Sequence, residues 1–178
     1  MQRLIGITGK AGSGKSTTAN WLKSHHHFME QSFAEPIREM LVTMLGESTW
    51  EIALETKEEP ISSIGKSPRE LMQTLGTDWG RQMVHPDIWV NSAEEVLDLH
   101  LDRGASVVFS DVRFENEADF IRRQGGCIWH LSRTGAGTPH SHESECGIAV
   151  RLDLGDVTLN NDSPKPLFYR SISKLLED

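Results

Sequence analysis

Near its start the chain reads Leu4-Ile5-Gly6-Ile7-Thr8, and it continues directly into Gly9-Lys10-Ala11-Gly12-Ser13-Gly14-Lys15-Ser16. The first run is short and apolar, which predicts a buried parallel strand. The second matches the phosphate-binding pattern G-x-x-x-x-G-K-[ST] in full, and a helix is predicted from Lys15 to about His25. A glycine turn that happens to contain a lysine is the alternative, but the position between a strand and a helix favours a phosphate loop.

Each part of this loop suits ATP. Glycines at 9, 12 and 14 allow backbone torsions that let successive N–H groups curl around a phosphate. Lys15 is predicted to reach the β- and γ-phosphates, and the Ser16 hydroxyl to bind Mg²⁺. The helix that follows directs its positive end at the anion.

The remaining pattern alternates strands with helices. Further strands are predicted at 28–33, 107–109, 127–131 and 157–159, and helices at 36–45, from 68, and at 87–102, 115–124 and 167–176. This order predicts the three-layer α/β/α fold of P-loop nucleoside triphosphatases, with a mainly parallel five-stranded sheet. We expect one domain over residues 1–178, with a mobile, irregular insertion at about 47–66 and a lid loop at about 133–147.

Composition excludes several classes of protein. The chain has 178 residues, 37% hydrophobic and 25% charged, and a net charge of -8. Such an acidic chain is a poor candidate for binding a nucleic-acid duplex. Two cysteines do not form a disulfide framework. Neither an export signal nor a membrane span is predicted, so we expect a cytoplasmic protein without a membrane partner.

A second candidate for the metal site follows the run Val107-Val108-Phe109-Ser110. There Asp111 ends an apolar strand, as in a Walker B element, and its carboxylate could hold Mg²⁺ or one of its waters. The alternative is an Asp that only caps the helix starting at Glu115.

The helix from Pro68 begins with a capping box formed by Ser67 and Glu70. Its predicted core stripe comprises Leu71, Met72, Leu75 and Trp79. The opposite side carries Arg69, Gln73 and Thr77, which could bind a phosphate and a base edge. A solvated helix face is the alternative interpretation of that row.

Further arginines are candidates for the acceptor site and the lid. Arg38 and Arg113 could also bind a phosphate. Arg113 closely follows Asp111 at the end of its strand, so we expect it to face the ligand cleft. Arg133 opens a loop with His140 and His142 that could close over ATP, although an ordinary surface loop is also open. We assign Arg122 and Arg123 to the surface. A transfer to a phosphate oxygen needs no general base, and the chain offers no Ser-His-Asp set.

Three further segments together extend the pattern beyond the phosphate loop. They are Ser32-Phe33-Ala34-Glu35-Pro36-Ile37-Arg38, then Ser67-Pro68-Arg69-Glu70-Leu71-Met72-Gln73-Thr74-Leu75-Gly76-Thr77-Asp78-Trp79-Gly80-Arg81, and Ser110-Asp111-Val112-Arg113-Phe114-Glu115-Asn116-Glu117-Ala118. With the loop, the chain resembles the bacteriophage-type deoxynucleoside monophosphate kinases, in the nucleoside monophosphate kinase branch of P-loop proteins.

The resemblance implies ATP-dependent phosphorylation of deoxynucleoside monophosphates for DNA precursor synthesis, with Mg²⁺. The implied catalytic residues are Lys15, Asp111, Arg113 and Arg133, and the implied metal ligands are Ser16 and Asp111. The ATP-binding set is Gly9, Ala11, Gly12, Ser13, Gly14, Lys15, Ser16, Thr17 and Asn160. The acceptor set is Ile37, Arg38, Arg69, Gln73, Thr77, Arg113, His142 and Glu145. The resemblance also leaves a homodimer open, and a phage origin would place the protein in the host cytoplasm.

Three other functions remain open at this point. A dephospho-CoA kinase or another small-metabolite kinase would share the loop but would not explain the row of Arg69, Gln73 and Thr77. A polynucleotide 5′-kinase would need a basic or aromatic track. A non-catalytic P-loop switch would bind nucleotide, but it would not explain the arginines predicted for the acceptor.

Overall fold

A computed structural model describes residues 3–137 and 147–177 of the chain. Its strands are β1 (Leu4–Thr8), β2 (Met29–Gln31), β3 (Val107–Phe109), β4 (Cys127–Ser132) and β5 (Val157–Asn160). They form one sheet in the order β2-β3-β1-β4-β5, and each neighbouring pair is parallel. All five residues of β1 are buried, as expected of a central strand covered on both faces. The predicted parallel five-stranded sheet is therefore confirmed.

Helices follow the strands in the predicted alternation. They are α1 (Lys15–His26), α2 (Glu35–Leu45), α3 (Glu47–Glu55), α4 (Pro68–Gln73), a π-helix (Thr74–Val84), α5 (Ile88–Asp102), α6 (Glu115–Arg123), a 3-10 turn (Leu152–Leu154) and α7 (Lys165–Glu177). The capping box predicted for α4 is present, because Ser67 Oγ accepts from Glu70 N at 3.2 Å and Glu70 Oε2 accepts from Ser67 N at 2.8 Å. This pair fixes the start of the helix.

Side chains on both faces of β1 show how the layers form. Ile5 and Ile7 belong to an apolar cluster with Leu22 of α1 and Phe168 of α7. The intervening Gly6 lies on the opposite face, where an added Cβ would be 2.6 Å from Ile121 Cδ1 of α6. Helices therefore cover both faces of the sheet, and the three-layer prediction is confirmed.

The chain forms two compact units. The sheet unit comprises Met1–Ser32 with Glu95–Asp178, and the helical unit comprises Phe33–Glu94. The sheet unit contains every strand named above and helices α1, α6 and α7. The helical unit contains α2, α3, α4, the π-helix and the first residues of α5. The assignment of residues 1–178 to a single domain stays a prediction.

The region at 47–66 is not irregular throughout, so that part of the prediction is wrong. Its first half forms α3, in which Trp50 and Ala53 are buried at 4% and 6% exposure. The glutamates at 47, 51 and 55 repeat every four residues and are exposed. The glutamate-rich composition therefore belongs to the solvent face of an amphipathic helix. The second half contains turns and a single antiparallel bridge between Ile61 and Lys66.

Arg122 is also placed differently from the prediction of a surface residue. Its side chain is only 5% exposed, and its Nη2 donates to the buried Asp156 carboxylate at 2.7 Å. Because Asp156 lies 34 residues farther along the chain, no local pattern around α6 could indicate this pair.

Candidate active site

The loop between β1 and α1 curls tightly and leaves no room for side chains at two of its glycines. Gly9 has φ 144° and Gly14 has φ 103°, in a region that other residues rarely adopt. An added Cβ on Gly9 would strike the Leu131 carbonyl oxygen, and one on Gly14 would strike Asn161 Nδ2. Both the torsions and the close approaches therefore require glycine.

Polar groups of the loop are placed where they could bind an anion. Lys15 Nζ donates to the carbonyl oxygens of Gly9 at 2.5 Å and Lys10 at 3.1 Å, so its ammonium lies over the loop. Gly14 caps α1 without a side-chain hydrogen bond, and the first turn of α1 has no acidic residue. Ser13 is 1% exposed, and within the described residues its hydroxyl has no hydrogen-bond partner. The arrangement offers positive charge and donors to a phosphate.

Asp111 lies just beyond the C-terminal end of β3, next to β1 in the sheet. Its Oδ2 accepts from the hydroxyl of Ser32, which follows β2, at 2.6 Å. The carboxyl ends of parallel strands meet at one edge of a sheet, so Asp111 and the phosphate loop share that edge. The topology therefore places both features at one edge of the sheet, and the assignment of Asp111 to the metal stays a prediction.

Arg113 follows Asp111, and its side chain is exposed. Its backbone N–H donates at 2.7 Å to Glu117, a buried carboxylate that also accepts from Phe114 N at 3.1 Å. Glu117 therefore accepts hydrogen bonds from the two backbone N–H groups that precede α6. These bonds fix the backbone at Arg113. No role for Glu117 is predicted from the sequence.

The strand ends of β4 and β5 meet beside the loop. Asp162 accepts from Thr134 N at 2.6 Å and from Asn160 Nδ2 at 2.9 Å, and Asn160 Oδ1 accepts from Asp162 N at 2.9 Å. The Thr134 N–H, followed by the Asn160 and Thr134 side chains, lowers the pKa of Asp162. Both polar ends of the Asn160 amide are thus engaged within its own turn. Arg133, the residue before Thr134, is exposed.

Five residues predicted for the acceptor lie in the helical unit: Ile37, Arg38, Arg69, Gln73 and Thr77. Ile37 is buried on α2, and Arg38 Nη1 contacts Glu35 Oε2 at 2.8 Å. Arg69 Nε contacts Glu58 Oε1 at 2.6 Å. Both arginines are partly exposed and paired with exposed carboxylates. His142 and Glu145, predicted for the acceptor, and His140, predicted for the lid, lie outside the described residues.

The core stripe predicted for the helix from Pro68 is wrong at its end. Trp79 is 39% exposed, whereas Thr77, predicted on the opposite side, is buried. The physical reason is that the α-helical turn stops at Gln73 and gives way to the π-helix. A π-helix bonds residue i to i+5 and turns less per residue, so the 3.6-residue pattern no longer selects the buried face.

The π-helix packs on Trp89, another residue that the sequence analysis missed. The indole Nε1 of Trp89 donates to Gly76 O at 2.7 Å, and its ring lies against Gly80 so closely that an added Cβ would be 2.8 Å from Cε2. The glycines spaced by four within Gly76-Thr77-Asp78-Trp79-Gly80 were the available signal for this contact. They give the helix a smooth face for an aromatic ring.

Comparisons with known proteins agree with the predicted family. The family model for deoxynucleotide monophosphate kinase matches residues 51–170. A protein of Acanthamoeba polyphaga mimivirus named putative deoxynucleotide monophosphate kinase is 34% identical over 96% of this chain and 94% of its own length.

The chain belongs to the deoxynucleotide monophosphate kinase family.

A second member of the family comes from a bacteriophage. The deoxynucleoside-5'-monophosphate kinase of Escherichia phage T5 is 26% identical, over 68% of this chain and 72% of its own length. The predictions of the family and of a kinase are confirmed. The family match contains Arg69, Asp111 and Arg133 but begins after the phosphate loop, so the loop motif and the family match are independent observations.

Solved structures agree on the fold of this deoxynucleotide monophosphate kinase family member. A dephospho-CoA kinase from Campylobacter jejuni superposes with a TM-score of 0.54 at 16% identity, covering 99% of this chain and 96% of its own. At that identity the likeness concerns the architecture alone. Within the residues that the structure describes, no helix is both long and apolar enough to cross a membrane.

Proposed function

We propose that this chain transfers the γ-phosphoryl group of ATP to a deoxynucleoside monophosphate, giving the deoxynucleoside diphosphate and ADP for DNA precursor synthesis. The observation that carries the proposal is the glycine-bounded loop with Lys15 over its carbonyl oxygens, in a chain of the deoxynucleotide monophosphate kinase family. Such a loop binds the phosphates of a nucleoside triphosphate. No comparison favours the small-metabolite kinase or the nucleotide switch.

In this proposal the loop holds ATP by its phosphates. The residues assigned to ATP are Gly9, Ala11, Gly12, Ser13, Gly14, Lys15, Ser16, Thr17 and Asn160. Loop N–H groups and the positive end of α1 face the phosphates, and Lys15 neutralises charge on the β- and γ-groups. The buried Ser13 hydroxyl, which lacks a protein partner in the described part of the chain, gains one from the nucleotide.

Mg²⁺ fits the oxygen donors that the sheet unit offers. Among the described residues, no group of three His, Cys, Asp or Glu side chains forms a metal site. Mg²⁺ in kinases characteristically takes one or two protein oxygens and completes its shell with water and substrate phosphate. The Ser16 hydroxyl and the Asp111 carboxylate are such donors. Bound there, the ion would neutralise charge on the phosphates during transfer.

The acceptor monophosphate is assigned to Ile37, Arg38, Arg69, Gln73, Thr77, Arg113, His142 and Glu145. Arg38 and Arg69 each hold an exposed glutamate, and exposed ion pairs contribute at most about 1 kcal/mol. A phosphate can therefore replace the glutamate at little cost and form a bidentate contact with the guanidinium. Gln73 and the buried Thr77 have the donors and acceptors that a base edge requires.

The transfer itself is positioning and charge neutralisation. A phosphate oxygen of the acceptor is already anionic, so it attacks the γ-phosphorus without a general base. Charge that builds on the transferred group is neutralised by Lys15, Arg113 and Arg133, which we assign as catalytic together with Asp111. A homodimer stays a prediction.

The proposal is tested by incubating the protein with ATP, Mg²⁺ and each of the four deoxynucleoside monophosphates, and following ADP and diphosphate formation. Dephospho-CoA and the absence of an acceptor serve as controls. Lys15→Ala should lower kcat by about a hundredfold or more, because it removes charge that acts on the transferred phosphoryl group. Arg69→Ala should lower kcat/KM for the acceptor by about tenfold to a hundredfold, the worth of a charged hydrogen bond.

Arg103→Ala is the matched control, because Arg103 is an exposed arginine in the turn directly after α5 and has no assigned role. Its kinetics should equal those of the wild-type protein. ADP formation that does not depend on any monophosphate would overturn the proposal and favour the switch. Selective consumption of dephospho-CoA would favour the small-metabolite kinase.

A further inference from the structure

The turn after β5 is hydrogen-bonded to the end of β4, to the segment after it, and to the phosphate loop. Asn161 N donates to Ser132 O at 2.8 Å and extends the pairing of β5 with β4 by one residue. The next residue, Asp162, accepts from Thr134 N at 2.6 Å and from Thr134 Oγ1 at 2.8 Å. Arg133 stands between Ser132 and Thr134, so both of its neighbours in the chain are held by consecutive residues of one turn.

The same turn holds the phosphate loop. Asn161 Nδ2 donates to Ser13 O at 2.9 Å, and its amide lies against the Cα of Gly14. A second link joins the segment after Arg133 to the loop, because Gly137 N donates to Ala11 O at 2.9 Å. The backbone around Arg133 and the phosphate loop are therefore connected by hydrogen bonds.

The turn itself is closed by hydrogen bonds between its own residues. Asn160 and Asp162 exchange two hydrogen bonds of 2.9 Å, from Asn160 Nδ2 to Asp162 Oδ2 and from Asp162 N to Asn160 Oδ1. The Asp162 carboxylate thus accepts three bonds, two of them from Thr134. Bonds to an ionised carboxylate are shorter and stronger than those between neutral groups. This geometry fixes the direction from which the carboxylate reaches Thr134.

We propose that Asp162 is a positioning residue, which holds the backbone of Arg133 in register with the phosphate loop so that the guanidinium meets the phosphates of ATP. The inference rests on the proposed function, in which Arg133 is catalytic. Asp162 is itself exposed, so we expect its hydrogen bonds to determine local geometry more than global stability. A displacement of about 1 Å in a catalytic group can cost about a hundredfold in rate.

Asp162→Asn tests the inference, because it keeps the size of the side chain and removes its charge. We expect kcat to fall about tenfold, with KM for ATP changed less than twofold and the melting temperature unchanged. Asp162→Glu should restore part of kcat. Asp153→Asn is the matched control, since Asp153 is an exposed aspartate bonded to Arg151 on the 3-10 turn. That variant should retain wild-type kinetics.

A double-mutant cycle with Arg133→Ala separates positioning from a merely structural role. If Asp162 acts through Arg133, Asp162→Asn should have no further effect on kcat in the Arg133→Ala protein. Additive losses would overturn the inference, because Asp162 would then act independently of Arg133.

Hydrogen exchange of the free protein gives a result that does not depend on activity. Asp162→Asn should accelerate exchange of the Thr134 amide, whose acceptor it weakens, relative to the Asp153→Asn protein. Unchanged exchange at Thr134 would overturn the inference whatever the enzyme phosphorylates. If the wild-type protein transferred no phosphate to any monophosphate, the proposed function would be overturned instead. The exchange result would still decide whether Asp162 holds the Thr134 amide.

Discussion

Asp156 shows how much a single side chain can organise. Its carboxylate is completely buried just before β5, where it accepts from Arg122 Nη2 at 2.7 Å, Arg151 N at 2.9 Å and Ile128 N at 3.0 Å. His130 Nε2 lies 3.1 Å from Oδ2. Burial alone would raise the pKa of Asp156, but these bonds outweigh it and lower the pKa from 3.8 to about 2.

The lowered pKa predicts a pH-dependent contribution of Asp156 to stability. A carboxyl whose folded-state pKa lies below its unfolded value stabilises the protein above the unfolded pKa, and the contribution is lost as pH falls through the folded pKa. The window therefore runs from pH 3.8 down to about 2. A shift of this size corresponds to about 2 kcal/mol. Above the window, Asp156→Asn should lower the free energy of unfolding by at least this amount, because Arg122 also loses its buried carboxylate partner.

Urea unfolding of the wild-type and Asp156→Asn proteins at a series of pH values measures this contribution. The difference between their unfolding free energies should be constant near neutral pH and should shrink as pH falls from about 4 towards 2. Asp98→Asn, at an exposed position of α5, is the control and should show no such change. A difference that stayed the same across the window would contradict the ion-pair account.

At the scale of elements, the π-helix is maintained by contacts rather than by its intrinsic preference. It spans Thr74–Val84, and His85 N donates to Gly80 O at 3.0 Å with the five-residue spacing of this helix type. Trp89 holds it from the side through the bond to Gly76 O at 2.7 Å. The predicted acceptor residue Thr77 lies between the two glycines, in the segment of backbone that these contacts hold.

Gly80→Ala should destabilise the protein even though alanine is the better helix former. Alanine gains about 0.5–1 kcal/mol from helix propensity, whereas overpacking costs about 1–3 kcal/mol. The added Cβ would lie 2.8 Å from Trp89 Cε2 and 2.9 Å from Leu75 O, and neither the indole nor the backbone can yield easily. We therefore expect a net loss of about 1–2 kcal/mol, measured by urea unfolding.

Asp78→Ala, at an exposed position of the same π-helix, controls for helix propensity alone and should change stability by less than about 0.5 kcal/mol. If Gly80→Ala proved more stable than the wild-type protein, the indole contact could not be what maintains the π-helix.

The elements that sequence predicts correctly are those with a local signal. Strand β1 was recognised from its apolar run, and α4 from the box of Ser67 and Glu70. The π-helix is not predicted because its cause, the fit between Gly80 and Trp89, lies in two elements. The four-residue spacing of Gly76 and Gly80 is its one local signal, and that spacing does not indicate which residue packs on the glycines. In the same way Arg122 pairs with the distant Asp156.

The site was predictable to a similar extent. The phosphate loop has a dense motif, whereas the turn at Asn161 and Asp162 acts through Thr134 and Ser13, which come close only when the sheet has formed. The helix α3 is not predicted from the sequence because its glutamates make the segment look polar. The residues on its solvent face outnumber the apolar residues whose spacing would indicate a helix.

For the whole molecule, the residues assigned to the two ligands are divided differently between the two compact units. All residues assigned to ATP belong to the sheet unit, and five of the acceptor residues belong to the helical unit. The chain carries a net charge of -8, yet both ligands are anions. Binding must therefore rely on local donors such as Lys15 and Arg69 rather than on the overall field.

Thermal unfolding with each ligand tests this division. A ligand that binds only the folded protein stabilises it by about 2.7 kcal/mol at a concentration of 100 times Kd. For a chain of this size about 2–4 °C in Tm corresponds to each kcal/mol, so ATP or the monophosphate should raise Tm by about 5–10 °C. Lys15→Ala should abolish the shift with ATP and keep the shift with the monophosphate. Arg69→Ala should keep the shift with ATP and reduce the shift with the monophosphate to about half or less, because a tenfold to hundredfold loss of affinity leaves about 0.4–1.4 kcal/mol of stabilisation.

The crossed design removes the ambiguity of a single variant. A substitution that merely weakened the fold would lower Tm without ligand and leave both ligand-induced shifts in place, since each shift depends on affinity and concentration. Loss or reduction of one shift and retention of the other therefore identifies which ligand the substituted residue binds. If Arg69→Ala instead abolished the ATP shift and left the monophosphate shift intact, Arg69 would have to be reassigned from the acceptor to the phosphoryl donor.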